Sequence, residues 1–526
     1  MATPATGVDL ARAIVIDPTL PADWLVVAPS ILTILGGAIC LMARKNTEAQ
    51  PRVAILFLTL LVLACGGLFV HVLDKGVVNM VMGRWLPPFG IAFTADITGA
   101  ALALTASIVA LAAGIYGAVD IDTSGRRYGF YPFLLLLMTG VCGAFLTGDI
   151  FNLYVWFEVL LISSFGMLVL GNEKEQLDGA VKYAVLNIIA TTLFLISTGL
   201  LYGLFGTLNM ADIAIKTRES GLTGPLASIA VLYLLAFGMK AAAFPVNFWL
   251  PASYHTPRIV VSAVFAGLLT KVGVYALLRI FILLMPQARI ALTDVIALVA
   301  IATMITGIFG ALAQTDIRRL FGYLVISGIG SMLAGLAIGT TAAVAGTIFY
   351  AIHSVIVMTA LYMAAGIMHS MGGSYSLRKL GGLYGASPAF AAVFLVLAFG
   401  VAGLPPFSGF WPKVILVDAA LATGHGWLAG TILLTGLLTS IAVGRVWVFA
   451  FWRGGAEGTV DGGAVALPAA DPVLTRAAVW LPLGVLLTLV VLLGVLPEPF
   501  FQISGRGASG LVDPLGYVRA VFGGSL

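Results

Sequence analysis

The chain has 526 residues, of which 60% are hydrophobic and only 10% charged, with a mean hydropathy of +1.07 and a formal net charge of +4. A soluble domain carries about a quarter charged residues, so this composition excludes one. The positive charges are spread over many loops with no basic tail, which speaks against nucleic acid as a partner.

Runs of about 20 apolar residues, long enough to cross a bilayer as helix, recur from end to end. Lipid offers backbone amides no partner, so only helices or a closed barrel can span it. The runs are long and do not alternate, which selects helices. The chain is therefore read as an all-α polytopic membrane protein.

About fourteen spans are expected: 24–43, 52–72, 92–118, 129–147, 150–171, 179–205, 225–250, 259–284, 290–312, 319–339, 341–369, 386–424, 427–452 and 475–496. Two of them, 225–250 and 386–424, are interrupted by proline. The N-terminal twenty residues lack a basic stretch leading into a cleavable apolar core, so no removed signal peptide is expected. Connections are short, and only 454–473 reads as a flexible loop. Cys40, Cys65 and Cys142 all fall in apolar segments without metal-binding spacing and read as small core residues.

Orientation follows from lysine and arginine. With the N-terminus outside, fourteen fall on the cytoplasmic side, nine outside, and four (Lys240, Lys271, Lys413 and Arg445) within spans. An even number of spans then puts both termini outside.

The sequence also repeats itself. "LAFGMKAAAFPVNFW" (235–249) matches "LAFGVAGLPPFSGFW" (397–411), and "YAVLNIIATT" (183–192) resembles "YAIHSVIVMT" (350–359) in the same order. Corresponding proline-interrupted helices in two halves point to a transporter with its site near the midplane.

A charge at the bilayer centre costs roughly 2.5–3.5 kcal/mol even on the lenient insertion scale, so such residues usually face water or an interior and usually function. Glu158 has mainly apolar neighbours on both sides and nothing in its own helix to neutralise it. It reads as a proton carrier, or as a structural carboxylate bonded to a neighbouring helix. Lys240 lies about fifteen residues into its span, deep for a lysine snorkelling to the interface. Pro245 interrupts the hydrogen-bond ladder just after it and leaves carbonyls that water must satisfy. The break thus supplies a wet, polar point beside the amine.

Lys271 and Lys413 repeat the theme, Lys413 following the double proline Pro405-Pro406. Each alone reads equally as a lone structural cation. His353 lies within a span and can titrate near neutral pH, or is simply a hydrogen-bonded core histidine. The chain has no GxGxxG after a strand and no GxxxxGK[ST], HExxH or CxxC pattern. No nucleotide, flavin, haem, iron–sulfur or metal cofactor is therefore expected. The driving energy must come from an ion gradient or a partner.

At these same residues the sequence resembles the proton-translocating antiporter family shared by Mrp-type multisubunit Na+/H+ antiporters and the membrane arm of respiratory complex I. The likeness runs from about Met82 to Trp452. It is carried by "TGDIFNLYVWFEVLLISS", "WLPASYHTPRIVVSAVFAGLLTKVGVYALLR", "QTDIRRLFGYLVIS" and "GLPPFSGFWPK". The D-type subunits of the Mrp antiporters are the most similar in motif and in length. Lys413, where complex I's related subunit usually has glutamate, and "SYHTP" in place of "PDAH" both favour that side.

The resemblance implies fourteen helices with two inverted five-helix repeats, each containing a broken helix. It divides the chain into 1–128 (helices 1–3), 129–284 (first repeat), 285–452 (second repeat) and 453–526 (loop, helix 14 and tail). It makes Glu158 the carboxylate of the fifth helix, Lys240 its partner on the seventh, Lys271 the central lysine of the eighth, His353 the group of the eleventh and Lys413 the terminal lysine of the twelfth. His255 occupies the loop after the first broken helix. Implied partners are A- and C-type and small membrane subunits, protons and Na+, in a bacterial cell membrane. Two positions depart from the family pattern. Met358 stands where related subunits often have lysine, and Gly328 where a polar residue is common. An oxidoreductase proton-pumping subunit and a non-transporting scaffold are the alternative readings.

Overall fold

In a computed structural model the described residues are 14, 20–221, 223–457 and 477–523. The N-terminal segment read for a signal peptide, most of the loop expected at 454–473, and Arg476 lie outside them.

Among the described residues the first elements are a 3-10 turn over Pro21–Val26, then α1 (Ala28–Met42) and α2 (Ala49–Lys75). A short antiparallel hairpin follows, β1 (Val78–Val81) with β2 (Ala92–Ala95), in register Val78↔Ala95 to Val81↔Ala92. The span expected at 92–118 therefore begins as strand. Its helix, α3 (Ile97–Asp120), starts only where Asp96 caps it by accepting from the Gly99 amide. Such a carboxylate satisfies one of the orphan donors at a helix start.

Next come α4 (Thr123–Tyr128), α5 (Phe130–Leu146), α6 (Ile150–Leu168), α7 (Lys174–Phe205) and α8 (Met210–Glu219). Asp149 caps α6 through the Asn152 amide, and Asn209 caps α8. The first interrupted span is α9 (Thr223–Ala241), an irregular turn and α10 (Trp249–Ser253). Then α11 (Ile259–Leu278) runs on as a π-helical stretch, Arg279–Leu284, into α12 (Pro286–Ala291). The series continues with α13 (Thr293–Ala313), α14 (Ile317–Ile338), α15 (Thr341–Gly372) and α16 (Leu383–Ala386). The second interrupted span is α17 (Pro388–Ala402) and α18 (Phe410–Ala422). Beyond it lie α19 (Gly426–Val446), α20 (Ala477–Val495), α21 (Glu498–Val512) and α22 (Leu515–Phe522). The tail expected after the last span is thus two further helices.

Among the described residues eleven helices are long and apolar enough to cross a membrane, with three shorter apolar ones at Ala28–Met42, Phe130–Leu146 and Pro388–Ala402. The protein is a multi-span helical membrane protein. Burial grades the helices. The apolar windows of the 259–284 and 341–372 helices are 100% buried and that of α14 is 94%, whereas α2 is 28% and the 426–452 helix 33%. So α11, α14 and α15 form the centre, and the outer helices turn leucine and isoleucine such as Leu63, Ile162, Leu298 and Leu437 to the outside of the bundle. Cys40, Cys65 and Cys142 are buried in this packing, as expected of small core residues.

Candidate functional site

Each expected ionisable residue sits on a different helix, and successive helices touch. Glu158 is on α6, Lys240 on α9, Lys271 on α11, His353 on α15 and Lys413 on α18. Phe157 of α6 packs on Phe237 of α9 at 5.6 Å between ring centroids. The pairs α9 with α11, α11 with α15, and α15 with α18 are each packed together.

Lys240 lies at the end of α9, 5% exposed, immediately before the break. Its ammonium sits over the Phe157 ring, 4.9 Å from the centroid, and Glu158, the next residue on α6, is the charge that acts on it. Glu158 is half-buried and its Oε1 has no hydrogen-bond partner. The two side chains are therefore in electrostatic reach of each other.

The break beyond Lys240 is built by backbone. Ala242 adopts φ 59, the Phe244-Pro245 bond is cis, and the freed groups find new partners. The Ala243 amide donates to Gly238 O at 2.8 Å, Phe244 N to Thr303 Oγ1 at 2.9 Å, and Trp249 Nε1 to Met239 O at 2.9 Å. Helix α11 presses against this end at Gly273, where an added Cβ would stand 2.8 Å from Ala241 N and 3.1 Å from Lys240 C.

Lys271, at the middle of the fully buried α11, is 1% exposed and donates to Ala266 O at 2.5 Å. Helix α15 meets α11 at Gly267, with Thr359 Oγ1 donating to Ala263 O at 3.2 Å. His353 is 1% exposed and shares a 2.8 Å hydrogen bond between Nδ1 and Ser408 Oγ. Lys413 and Lys271 are the charges that reach it. Lys413 donates to Ala402 O at 2.6 Å, a carbonyl freed where α17 stops, and lines a cavity of about 390 Å³ with Asp418 and Ser440.

The second break copies the first. Gly403 (φ 81) and the cis bond Pro405-Pro406 stand 161 residues after Ala242 and Pro245, and Leu404 N donates to Phe399 O as Ala243 N does to Gly238 O. The LAFG match in the sequence is offset by 162, so the helix entering the first break is one residue longer than that match implies.

His255 lies outside the spans, on the face where α10 ends and α11 begins. Arginine can only donate, so the 2.9 Å contact from Arg319 Nη2 makes Nε2 an acceptor and places the ring proton on Nδ1, 2.9 Å from Pro251 O. Burial first, then Arg319 and Arg318, hold its pKa below the ordinary histidine value. The ring borders a polar cavity of about 730 Å³ with Lys174, Glu175, Asp178, Lys182 and Asp316. Among the described residues no group of three His, Cys, Asp or Glu side chains is placed to hold a metal ion.

Residues 147–439 match the family described as the NADH:quinone oxidoreductase/Mrp antiporter transmembrane family. This chain belongs to that family. The D-type subunit of the Na+/H+ antiporter of Alkalihalophilus pseudofirmus is 37% identical over 94% of this chain and 99% of its own length. Its counterpart from Bacillus subtilis is 36% identical over the same shares. A chain of the solved Mrp complex from Dietzia sp. superposes with a TM-score of 0.87 at 27% identity, covering 96% of this chain and 100% of its own. A chain of respiratory complex I from Thermus thermophilus shares the fold, with a TM-score of 0.79 at 22% identity, covering 93% and 100%.

Within this family member three polar residues were missed in the sequence. Ser408 had no signal beyond its place in "PPFSGF". Tyr350 fills the space that Gly328 leaves: a Cβ there would meet its ring at 3.2 Å, and Tyr350 stands edge-on to His353 at 5.7 Å. Arg279, left out of the four intramembrane cations, is fully buried and ion-paired to Asp96 at 2.7 Å. Met358 is buried beside His353's helix turn and offers no charge.

Proposed function

We propose that this chain is the D-type, proton-translocating subunit of a multisubunit Na+/H+ antiporter, a secondary transporter and not an enzyme. The observation that carries the reading is the row of ionisable residues, one per helix, on helices packed in series. Two of those residues adjoin a helix break: Lys240 ends the helix before the first, and Lys413, just after the second, reaches back to a carbonyl freed there.

Protons enter from the polar cavity at His255 and load the Glu158–Lys240 site. Its charge state sets that of Lys271, which hands on through His353 and Ser408 to Lys413. Unit charges 4 Å apart interact by about 4 kcal/mol at an effective dielectric near 20, and weaker coupling over longer steps still biases each neighbour. Moving one charge through 100 mV is worth about 2.3 kcal/mol, enough to couple the row to a membrane potential. With Met358 in place of a lysine, the central step rests on His353, Ser408 and water.

The same reading takes fourteen crossings with both termini outside, in a bacterial cell membrane. It takes two inverted five-helix repeats, 129–284 and 285–452, between an N-terminal part (1–128) and a C-terminal part (453–526). The likeness of the two breaks supports the repeat. A- and C-type and small membrane subunits are the partners, and the Na+ path lies in another subunit, a reading supported by the lack of a suitable acidic cluster among the described residues. An oxidoreductase pump subunit is the second reading; the shared fold with complex I supports it, and redox genes beside this one would favour it.

The test is Na+/H+ exchange in everted vesicles carrying the whole gene cluster. Lys240→Ala and Glu158→Gln should each cut exchange at least tenfold while the complex still assembles. Wild-type exchange in both, at normal complex levels, sinks the relay.

A further inference from the structure

The face opposite His255 holds a buried charged cluster that the row above does not use. Asp96 caps α3 through Oδ1, while its Oδ2 lies 2.7 Å from Arg279 Nη1. The two side chains are 8% and 0% exposed. Arg279 Nε donates to Tyr275 Oη at 2.8 Å, and Tyr275 Oη donates to Phe145 O at 2.7 Å. The guanidinium also lies over the rings of Tyr275 and Tyr517, at 5.0 and 5.5 Å. Tyr517 is 2% exposed although it belongs to α22, the last of the described helices.

As a structural device this cluster is costly. Taking two charges out of water costs several kcal/mol per ion, and apolar residues of similar volume often do as well or better. Its surroundings are also incompletely satisfied, since Arg279 Nη2 and the buried Thr98 Oγ1 have no hydrogen-bond partner. Arg279 further begins a π-helical stretch, a feature that clusters at functional sites.

Its position gives the cluster a use. Lys271, Tyr275 and Arg279 stand at i, i+4 and i+8, one above another along α11 and the start of the π-helical stretch that continues it, with about 6 Å between successive residues. Lys271 now leans the other way, onto Ala266 O. A swing of its flexible stem by one turn brings the ammonium toward Tyr275.

We propose that Asp96, Arg279, Tyr275 and Tyr517 form a proton gate that branches from the row at Lys271 to the membrane face carrying the β1–β2 hairpin, a second outlet beside the one through Lys413, with Tyr517 of α22 as its lid. This rests on the proton-translocating reading above. A proton leaves the Lys271 ammonium as an N–H bond breaks. Tyr275 Oη accepts it on a free lone pair; its own O–H, which donates to Phe145 O in this structure, turns from that carbonyl toward Asp96, and that O–H bond then breaks. Asp96 takes that proton as an O–H bond forms beside Arg279, which stays charged throughout. The O–H bond then breaks toward water at the hairpin face. Arg279 is a positioning residue: it holds Asp96 and Tyr275 in line and places a fixed positive charge that repels Na+ and K+ from the same path.

The experiment compares Asp96→Asn, Arg279→Gln, the double variant and Tyr517→Phe in the assembled complex, with exchange rates normalised to complex level and measured against Na+ concentration. Each single change of the pair should lower both complex level and exchange, because it strands a buried charge or dipole. The double variant should recover complex level, yet exchange at least tenfold more slowly than wild type with an unchanged half-saturating Na+ concentration. Tyr517→Phe keeps the ring and should lower the maximal rate severalfold. A purely structural pair predicts that the double variant regains wild-type exchange, and that result overturns the gate. If the double variant does not assemble, Tyr517→Phe at wild-type rate overturns it alone. Lys240→Ala separates the two claims: if it is inactive while the gate variants run normally, only the gate fails.

Discussion

His353 Nδ1 lies 2.8 Å from Ser408 Oγ, and that hydroxyl belongs to the turn that interrupts the second broken helix. The turn is held close to the ring on its other side as well. A Cβ at Gly409 would stand 3.1 Å from His353 Nε2 and even closer to the Gly400 carbonyl. The break at Pro405-Pro406 therefore does two jobs, freeing carbonyls for Lys413 and delivering a hydroxyl to His353. Ser408→Ala strands a fully buried ring nitrogen, a loss of about 1–3 kcal/mol. Exchange in everted vesicles should fall about tenfold with the complex intact. In a His353→Ala background the same change should cost nothing further, since the two act as one unit. Additive losses would separate them.

Helix α11 can lie against the Lys240 break only because Gly273 has no side chain. Gly273→Ala puts a methyl 2.8 Å from the Ala241 amide nitrogen, which is backbone and cannot swing aside. Overpacking of this kind costs about 1–3 kcal/mol. Thermal unfolding of the detergent-purified complex should shift down, and exchange should fall as Lys240 and Lys271 move apart. Gly203→Ala on α7 is the control. Nothing lies within 4 Å of its added Cβ, and the change raises helix propensity, so the midpoint should stay or rise by a small amount.

The parts legible in the sequence were those where composition contrasts sharply with surroundings. Lysines in apolar runs, prolines inside expected spans and the long apolar stretches themselves stand out because lipid punishes exceptions. The illegible parts depend on which distant residues meet. Asp96 and Arg279 pair across 183 positions, and nothing local marks either. The turn at Ala242 takes a left-handed φ without glycine, so its register had no cue, and the LAFG match slid the two breaks by one residue. Ser408 is one serine among many until His353 is seen beside it. The helices α21 and α22 escaped notice because their apolar residues are spaced for one buried face, without the continuous run that marks a span.

Gly403 holds Lys413 in place. Its φ of 81 suits glycine, and a Cβ there would meet Lys413 Cδ at 2.7 Å and Nζ at 2.8 Å. Gly403→Ala should thus act as a displaced lysine: exchange falls at least tenfold, comparable to Lys413→Ala. Backbone strain adds about 1–3 kcal/mol of destabilisation, read as a lower unfolding midpoint. Lys413→Ala should lack that stability loss, so the pair distinguishes strain from lost charge. Normal exchange in Gly403→Ala would show that the amine's contact with Ala402 O is dispensable.

His255 sets the last expectation, through pH. Burial and the Arg319 and Arg318 charges lower its pKa, so it takes up a proton only below the ordinary histidine value of about 6.5. It is neutral from pH 7 upward, accepting from Arg319 at Nε2. The sign follows: alkaline changes in exchange rate cannot come from its titration, whereas acidification places a proton on Nε2 against a guanidinium. His255→Gln should lower exchange severalfold at all pH values by loosening Arg319, yet leave the shape of the profile between pH 7 and 9.5 unchanged. On the acid side the wild type should fall more steeply than the variant, because only the wild type builds the repulsion. The check is the full pH profile of exchange in everted vesicles for both forms. An alkaline limb displaced by more than about half a unit in His255→Gln would mean that the ring gains its proton in the working range, and the neutral acceptor role would be wrong.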